Sequence, residues 1–139
     1  MKQKSLRYTM TAALLTLVAG AAYAQDYAMS AKVPFAFRAA GSDLPAGRYK
    51  VERTQGNSLA LTLRNVDTGK MIFIPSKEPL TETKTSRARL VFECGGEAGC
   101  SLATLWSGSG AGLEFTTPPL TAAQKERRET IYLDRFKEK

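Results

Sequence analysis

Across residues 30–37 apolar and polar positions alternate, with Val33, Phe35 and Phe37 on one face and Pro34, Ala36 and Arg38 on the other. A two-residue period is that of a half-buried strand. Pro34 has no amide proton for a ladder, so it belongs at an edge or on the unpaired side. Residues 38–44 form a small, polar connection, and Leu44-Pro45-Ala46-Gly47 has proline and glycine where a type I turn places them. A strand over residues 48–53 follows, turning Tyr49 and Val51 inward and Arg48, Lys50 and Glu52 to water. After the turn signal Gln55-Gly56-Asn57, Leu59, Leu61 and Leu63 alternate against Ala60, Thr62 and Arg64. Asp67-Thr68-Gly69-Lys70 is a further turn. Residues 71–74 are apolar at every position, which predicts a strand covered on both faces or placed centrally. Residues 77–85 carry Pro79 and four charges and read as a loop crossing between sheets.

The next hairpin is anchored by its cysteines. If Cys94 lies opposite Cys100, Phe92 faces Leu102, Leu90 faces Thr104 and Ala88 faces Trp106, which gives one almost wholly apolar face. The other face pairs Glu93 with Ser101 and Arg87 with Ser107, although Val91, Ala103 and Leu105 make it less polar than a solvent side should be. The flexible run Gly108-Ser109-Gly110-Ala111-Gly112 leads to a short strand over residues 113–115, stopped by Pro118-Pro119. Thr121 with Gln124 matches a capping box and predicts a short helix over residues 122–129. A final β-prone segment, residues 130–133, follows; the competing pattern is one helix running to Lys137. The whole predicts an all-β fold: a single small antiparallel β-sandwich or partly closed barrel of about seven or eight strands with one short C-terminal helix.

The first residues change what counts as the domain. Lys2, Lys4 and Arg7 precede an apolar run over residues 10–22 that ends in Ala22-Tyr23-Ala24, the pattern of a secretory signal peptide cut between Ala24 and Gln25. The run is shorter than the roughly 20 residues of a spanning helix, and no cysteine stands at the cut to take a lipid. Residues 1–24 are therefore expected to be the signal and residues 25–139 a single exported β-domain, periplasmic or secreted, with no stable membrane anchor after cleavage. Three of the 20 Lys and Arg precede the cut, so the net charge falls from +7 to +4. That is too little and too scattered for a nucleic-acid binder, and nucleic acid is not an expected partner.

Candidate chemistry is thin. The chain has no histidine, which removes the commonest general base and metal ligand. The two cysteines, with five residues between them in an exported chain, are expected to form a disulfide. A metal site would need two more ligands, and a redox pair would have C-x-x-C spacing. The loop closed is small, so the staple adds only about 2 kcal/mol. The Gly108 to Gly112 run lacks the ending of a phosphate loop, and Leu113 stands where a dinucleotide fingerprint needs its third glycine. Asp43, Asp67, Glu82 and Glu97 sit in turns, Glu52, Glu93 and Glu114 on solvent faces, and Ser101 and Ser107 lack a base. No enzymatic activity, catalytic residue, metal or cofactor is expected. Arg48, Lys50, Arg64, Arg87 and Arg89 all point away from the core and are the candidate contacts for an anionic surface, although a solvated face explains them too.

With strands and turns placed, Val33-Pro34-Phe35, Phe37, Leu44-Pro45-Ala46-Gly47, Tyr49 and Val51 resemble the VPF-x-F and LPAG-x-Y-x-V opening of a group of small, exported, uncharacterised bacterial β-proteins. Leu90, Phe92, Leu102, Trp106 and Gly112 look like the later part of that pattern, whereas the Cys94 to Cys100 loop departs from it. The resemblance implies a small exported β-fold and brings no reaction, ligand or catalytic residue. The function expected is a non-catalytic binding or structural-interaction module of the cell envelope, with an envelope or extracellular partner of unknown identity. The alternative is a carrier holding a small apolar ligand among Phe35, Phe37, Leu61, Phe73 and Trp106.

Overall fold

The computed structural model describes residues 28–53, 59–84, 86–95, 99–119 and 127–137. The signal segment with its Ala24–Gln25 cut, the Gln55-Gly56-Asn57 turn, Glu97 and the Thr121 to Gln124 capping box lie outside the described residues. Alternating apolar residues produce strands throughout: β1 (Met29–Val33), β2 (Phe37–Ala39), β3 (Ser42–Leu44), β4 (Gly47–Arg53), β5 (Ala60–Asn65), β6 (Met71–Pro75), β7 (Glu78–Thr81), β8 (Arg89–Cys94), β9 (Cys100–Trp106), β10 (Ala111–Glu114), β11 (Arg127–Tyr132) and β12 (Asp134–Arg135). They form a five-stranded sheet in the order β12-β1-β4-β5-β6 and a seven-stranded sheet in the order β11-β8-β9-β10-β7, with β2 on β9 and β3 on β2. The ladders are antiparallel except β2 with β9. The sheets do not close into a barrel.

Between the sheets lies one cluster of buried side chains, including Val33, Tyr49, Val51, Leu61, Leu63 and Ile74 from the first sheet and Phe37, Leu90, Phe92, Leu102, Leu105 and Leu113 from the second. Its centre is a file of rings. Phe35 meets Phe92 at 5.1 Å, Phe92 meets Phe37 at 5.2 Å and Phe37 meets Tyr49 at 5.3 Å, all edge to face. That geometry sets the positive ring edge against the negative face and adds to the burial.

The alternation over residues 30–37 survives as a row of inward side chains but not as one strand. At Pro34, which cannot donate to a ladder, the chain leaves β1 and crosses to β2 in the other sheet. The connection expected over residues 38–44 is a hairpin of β2 and β3, because Ala40 at φ 49° and Gly41 at φ 74° make the two-residue turn that matches strand twist. Pro45 and Ala46 then form a bend back to the first sheet, closed by the Tyr49 hydroxyl, which donates to the Pro45 carbonyl at 2.6 Å. Burial pushes the Tyr49 phenol above its ordinary value, against a smaller opposing pull from the Asn65 side chain. The folded protein therefore holds this proton more tightly than the unfolded chain, so the stability involved is complete below about pH 10 and lost as the pH rises past it. Tyr49→Phe is expected to flatten the alkaline fall of the melting temperature while costing about 1 kcal/mol at neutral pH. Thermal melts of both proteins from about pH 8 to about 11 check this, and parallel alkaline slopes would refute it.

Four expectations are corrected. The C-terminal helix is absent where it can be seen, since Arg127 to Glu129 belong to β11, and the single helix to Lys137 is excluded by β11 and β12. β-branched Thr130 and Ile131, pairing with Val91 and Leu90, favour the strand. Residues 71–74 are neither central nor covered twice. β6 ends its sheet, and Met71 and Phe73 are 59% and 50% exposed. Within the crossing expected over residues 77–85, Glu78 to Thr81 form β7 on β10; Pro79 is tolerated because β7 is an edge. The hairpin register holds for Cys94, Glu93 and Phe92 but shifts by one residue between Val91 and Phe92. Beyond that bulge Leu105 faces Leu90 and Trp106 faces Arg89, so Leu105 enters the core and Trp106 turns outward. The Cys94–Cys100 disulfide forms as expected, with Cα atoms 4.0 Å apart.

Candidate interaction face

Two outer faces result, and the five candidate basic residues divide between them. On the outer face of the seven-stranded sheet, Tyr132, Arg89, Trp106 and Gly112 stand in one cross-strand row. The Arg89 guanidinium donates to Glu82 Oε2 at 3.0 Å, bonds the Ser86 hydroxyl and lies 5.3 Å from the centre of the Trp106 ring. The hydrogen bond from Arg89 holds the Glu82 carboxyl below the usual carboxylate range. Arg87 reaches Asp134 at 3.2 Å and covers the Tyr132 ring at 4.7 Å. Both cations are matched by carboxylates, and their work is to fasten the crossing segment and the C-terminal strand onto β8. They are not available to a ligand without breaking those pairs.

Arg48, Lys50 and Arg64 are brought together on the outer face of the five-stranded sheet. The ladder sets Lys50 directly opposite Arg64, and Arg48 directly opposite Lys32 on β1, a residue not singled out beforehand. Like charges in opposed positions repel and destabilise a sheet. Only Lys50 is relieved by a carboxylate, Glu52 at 2.7 Å on the same strand, while the Arg48 guanidinium donates to the Lys137 carbonyl at 3.4 Å. Lys32, Arg48 and Arg64 form no salt bridge among the described residues, whereas Arg38, Lys77, Arg87, Arg89 and Arg127 each do. Phe136 lies against the face, its ring centre 5.1 Å from Lys50 Nζ and 5.5 Å from the Arg48 guanidinium carbon.

Between Lys50, Arg64, Val66 and Phe136 the surface dips into a shallow concavity of about 270 Å³. The rim is formed by the β5–β6 connection. Asn65, buried in the sheet, uses its Oδ1 to accept the amides of Asp67 at 2.9 Å and Thr68 at 3.1 Å, and Gly69 at φ 73° completes the reversal. Alongside runs the apolar edge: Met71 is opposite Arg64 and Phe73 is opposite Thr62, and Val66, 40% exposed, stands at the rim of the dip with its amide donating to the Arg48 carbonyl at 2.9 Å. Sequence parity alone marks Lys32 as outward; that β6 is an edge depends on strand order, which no local pattern carries.

The residues proposed to hold an apolar ligand do not converge. Phe37 lies with Leu61 in the core, Phe35 packs half-buried against it, Phe73 points off the first sheet and Trp106 off the second. Among the described residues no group of three or more acidic or cysteine side chains is placed to hold a metal ion. Cysteine pairing is compatible with an extracellular or periplasmic location, and no described helix is long and apolar enough to cross a membrane. No protein-family model, curated protein or solved structure matches the chain.

Proposed function

We propose that the mature chain is a non-catalytic binding module of the cell envelope, exported to the periplasm or beyond, whose contact surface is the outer face of the five-stranded sheet. The observation that carries this reading is the pair of like-charged cross-strand positions, Lys32 with Arg48 and Lys50 with Arg64, at the middle of one face. A face that served only solubility would intersperse the two signs, as the outer face of the other sheet does where Arg87 meets Asp134 and Arg89 meets Glu82. Repulsion kept at adjacent sites stabilises nothing in the free protein and is relieved when an anionic partner lies across it.

Photo-crosslinking in the producing cell tests the assignment. A photoreactive residue replacing Phe73, on this face, is expected to give adducts, while one replacing Val91, on the outer face of the other sheet, is expected to give few. Equal labelling at the two positions, or labelling at Val91 alone, refutes the contact face. Turnover by the purified protein that one carboxylate substitution abolishes refutes the non-catalytic part.

A further inference from the structure

We infer that the partner at this face is the anionic surface of a phospholipid bilayer, an inference that rests on the contact face proposed above. Charge complementarity supplies the first half of the argument. Lys32, Arg48 and Arg64, without salt-bridge partners among the described residues, stand on three adjacent strands and point the same way, with Lys50 between them paired to Glu52 and flanked by the Phe136 ring, so a broad surface of phosphates reaches cations on all three strands. A soluble anion small enough for the dip between Lys50 and Arg64 would leave out Lys32 and Arg48, which line a second, larger concavity together with Asp67, Asp134 and Arg135.

The apolar edge supplies the second half. Val66, Met71 and Phe73 are 40%, 59% and 50% exposed and stand on the same face as the cations, where a soluble glycan or acidic peptide in water gains little from them. At a bilayer boundary the same arrangement is favourable: lysine and arginine reach phosphates while methionine and phenylalanine enter the acyl margin. The other edges lack this composition. β7 carries Glu78 and Pro79, β12 is Asp134 and Arg135, and β11 carries Arg127, Arg128 and Glu129 with one exposed ring, Tyr132, which Arg87 covers. Docking of this kind is peripheral and reversible, and it needs no spanning segment.

Co-sedimentation of the signal-free chain with vesicles tests the inference. Binding is expected to vesicles of phosphatidylcholine mixed with phosphatidylglycerol, not to phosphatidylcholine alone, and to fall with added salt. The Arg48→Gln/Arg64→Gln double variant is expected to bind about 25-fold more weakly, roughly fivefold for each cation removed near the surface. Phe73→Ser is expected to lose several-fold in affinity, whereas Arg38→Gln, which removes a charge on the β2–β3 hairpin, leaves binding as it was. The unmodified protein decides the matter if a variant misfolds: no sedimentation with the anionic vesicles, or equal sedimentation with both kinds, overturns the inference. Retention on heparin without vesicle binding also overturns it and identifies a soluble polyanion instead. A protein adduct from the Phe73 crosslinker together with absent vesicle binding leaves the contact face standing and removes the lipid; no adduct at all removes both.

Discussion

Truncating Phe92 to alanine is expected to cost about 3–5 kcal/mol, a large share of the 5–15 kcal/mol that holds a domain of this size folded. Phe92 is fully buried, and it is the member of the ring file that touches both Phe35 and Phe37, and so couples the crossing segment after β1 to β8. Alanine removes the ring from between these neighbours and leaves a cavity that β8, paired on both sides, cannot collapse to fill. Phe37 then loses one of its two edge-to-face partners, keeping Tyr49 alone. Urea unfolding followed by circular dichroism measures the loss. A drop below about 1 kcal/mol would mean that the rings are not the centre of the core.

Gly112→Ala is expected to cost about 1–3 kcal/mol through a clash rather than a cavity. A Cβ at that position falls 2.7 Å from Trp106 Cε3 and 2.9 Å from the Leu105 carbonyl oxygen, closer than non-bonded atoms pack. The indole can swing away, but the carbonyl is backbone of the neighbouring strand, so β9 and β10 must part. Trp106 is the chain's one tryptophan, which makes its fluorescence a private reporter of this spot. The variant is expected to show both a lower melting temperature and an altered emission maximum; an unchanged spectrum with unchanged stability would show that the indole does not lie over Gly112.

How far the residues announced this fold depends on whether a feature is local. Val33, Phe37, Tyr49, Val51, Leu61 and Leu63 all turn inward as their alternation requires, and the cysteine pair lies where its spacing puts it. Trp106 does not follow, because one extra residue at the Val91–Phe92 shift reverses the parity of everything beyond it. Ala103 and Leu105 on the supposed polar face were the sign of that bulge. Leu59, grouped with Leu61 and Leu63, is 46% exposed just before β5, and Ala60 is buried in its stead. For the face, the sequence marks Arg48, Lys50 and Arg64 as outward. It cannot say that Lys32 stands opposite Arg48, or that Arg87 and Arg89 meet Asp134 and Glu82, since those encounters are settled by strand order.

The pairing of β1 with β12 and of β8 with β11 joins early segments to residues more than thirty positions later. When such a chain emerges N-terminus first, Met29–Val33 and Arg89–Cys94 each keep a bare flank until Arg127–Arg135 follow. Closure is thus a late and slow event, and the interval before it is when the nascent molecule is most prone to stick to its own kind.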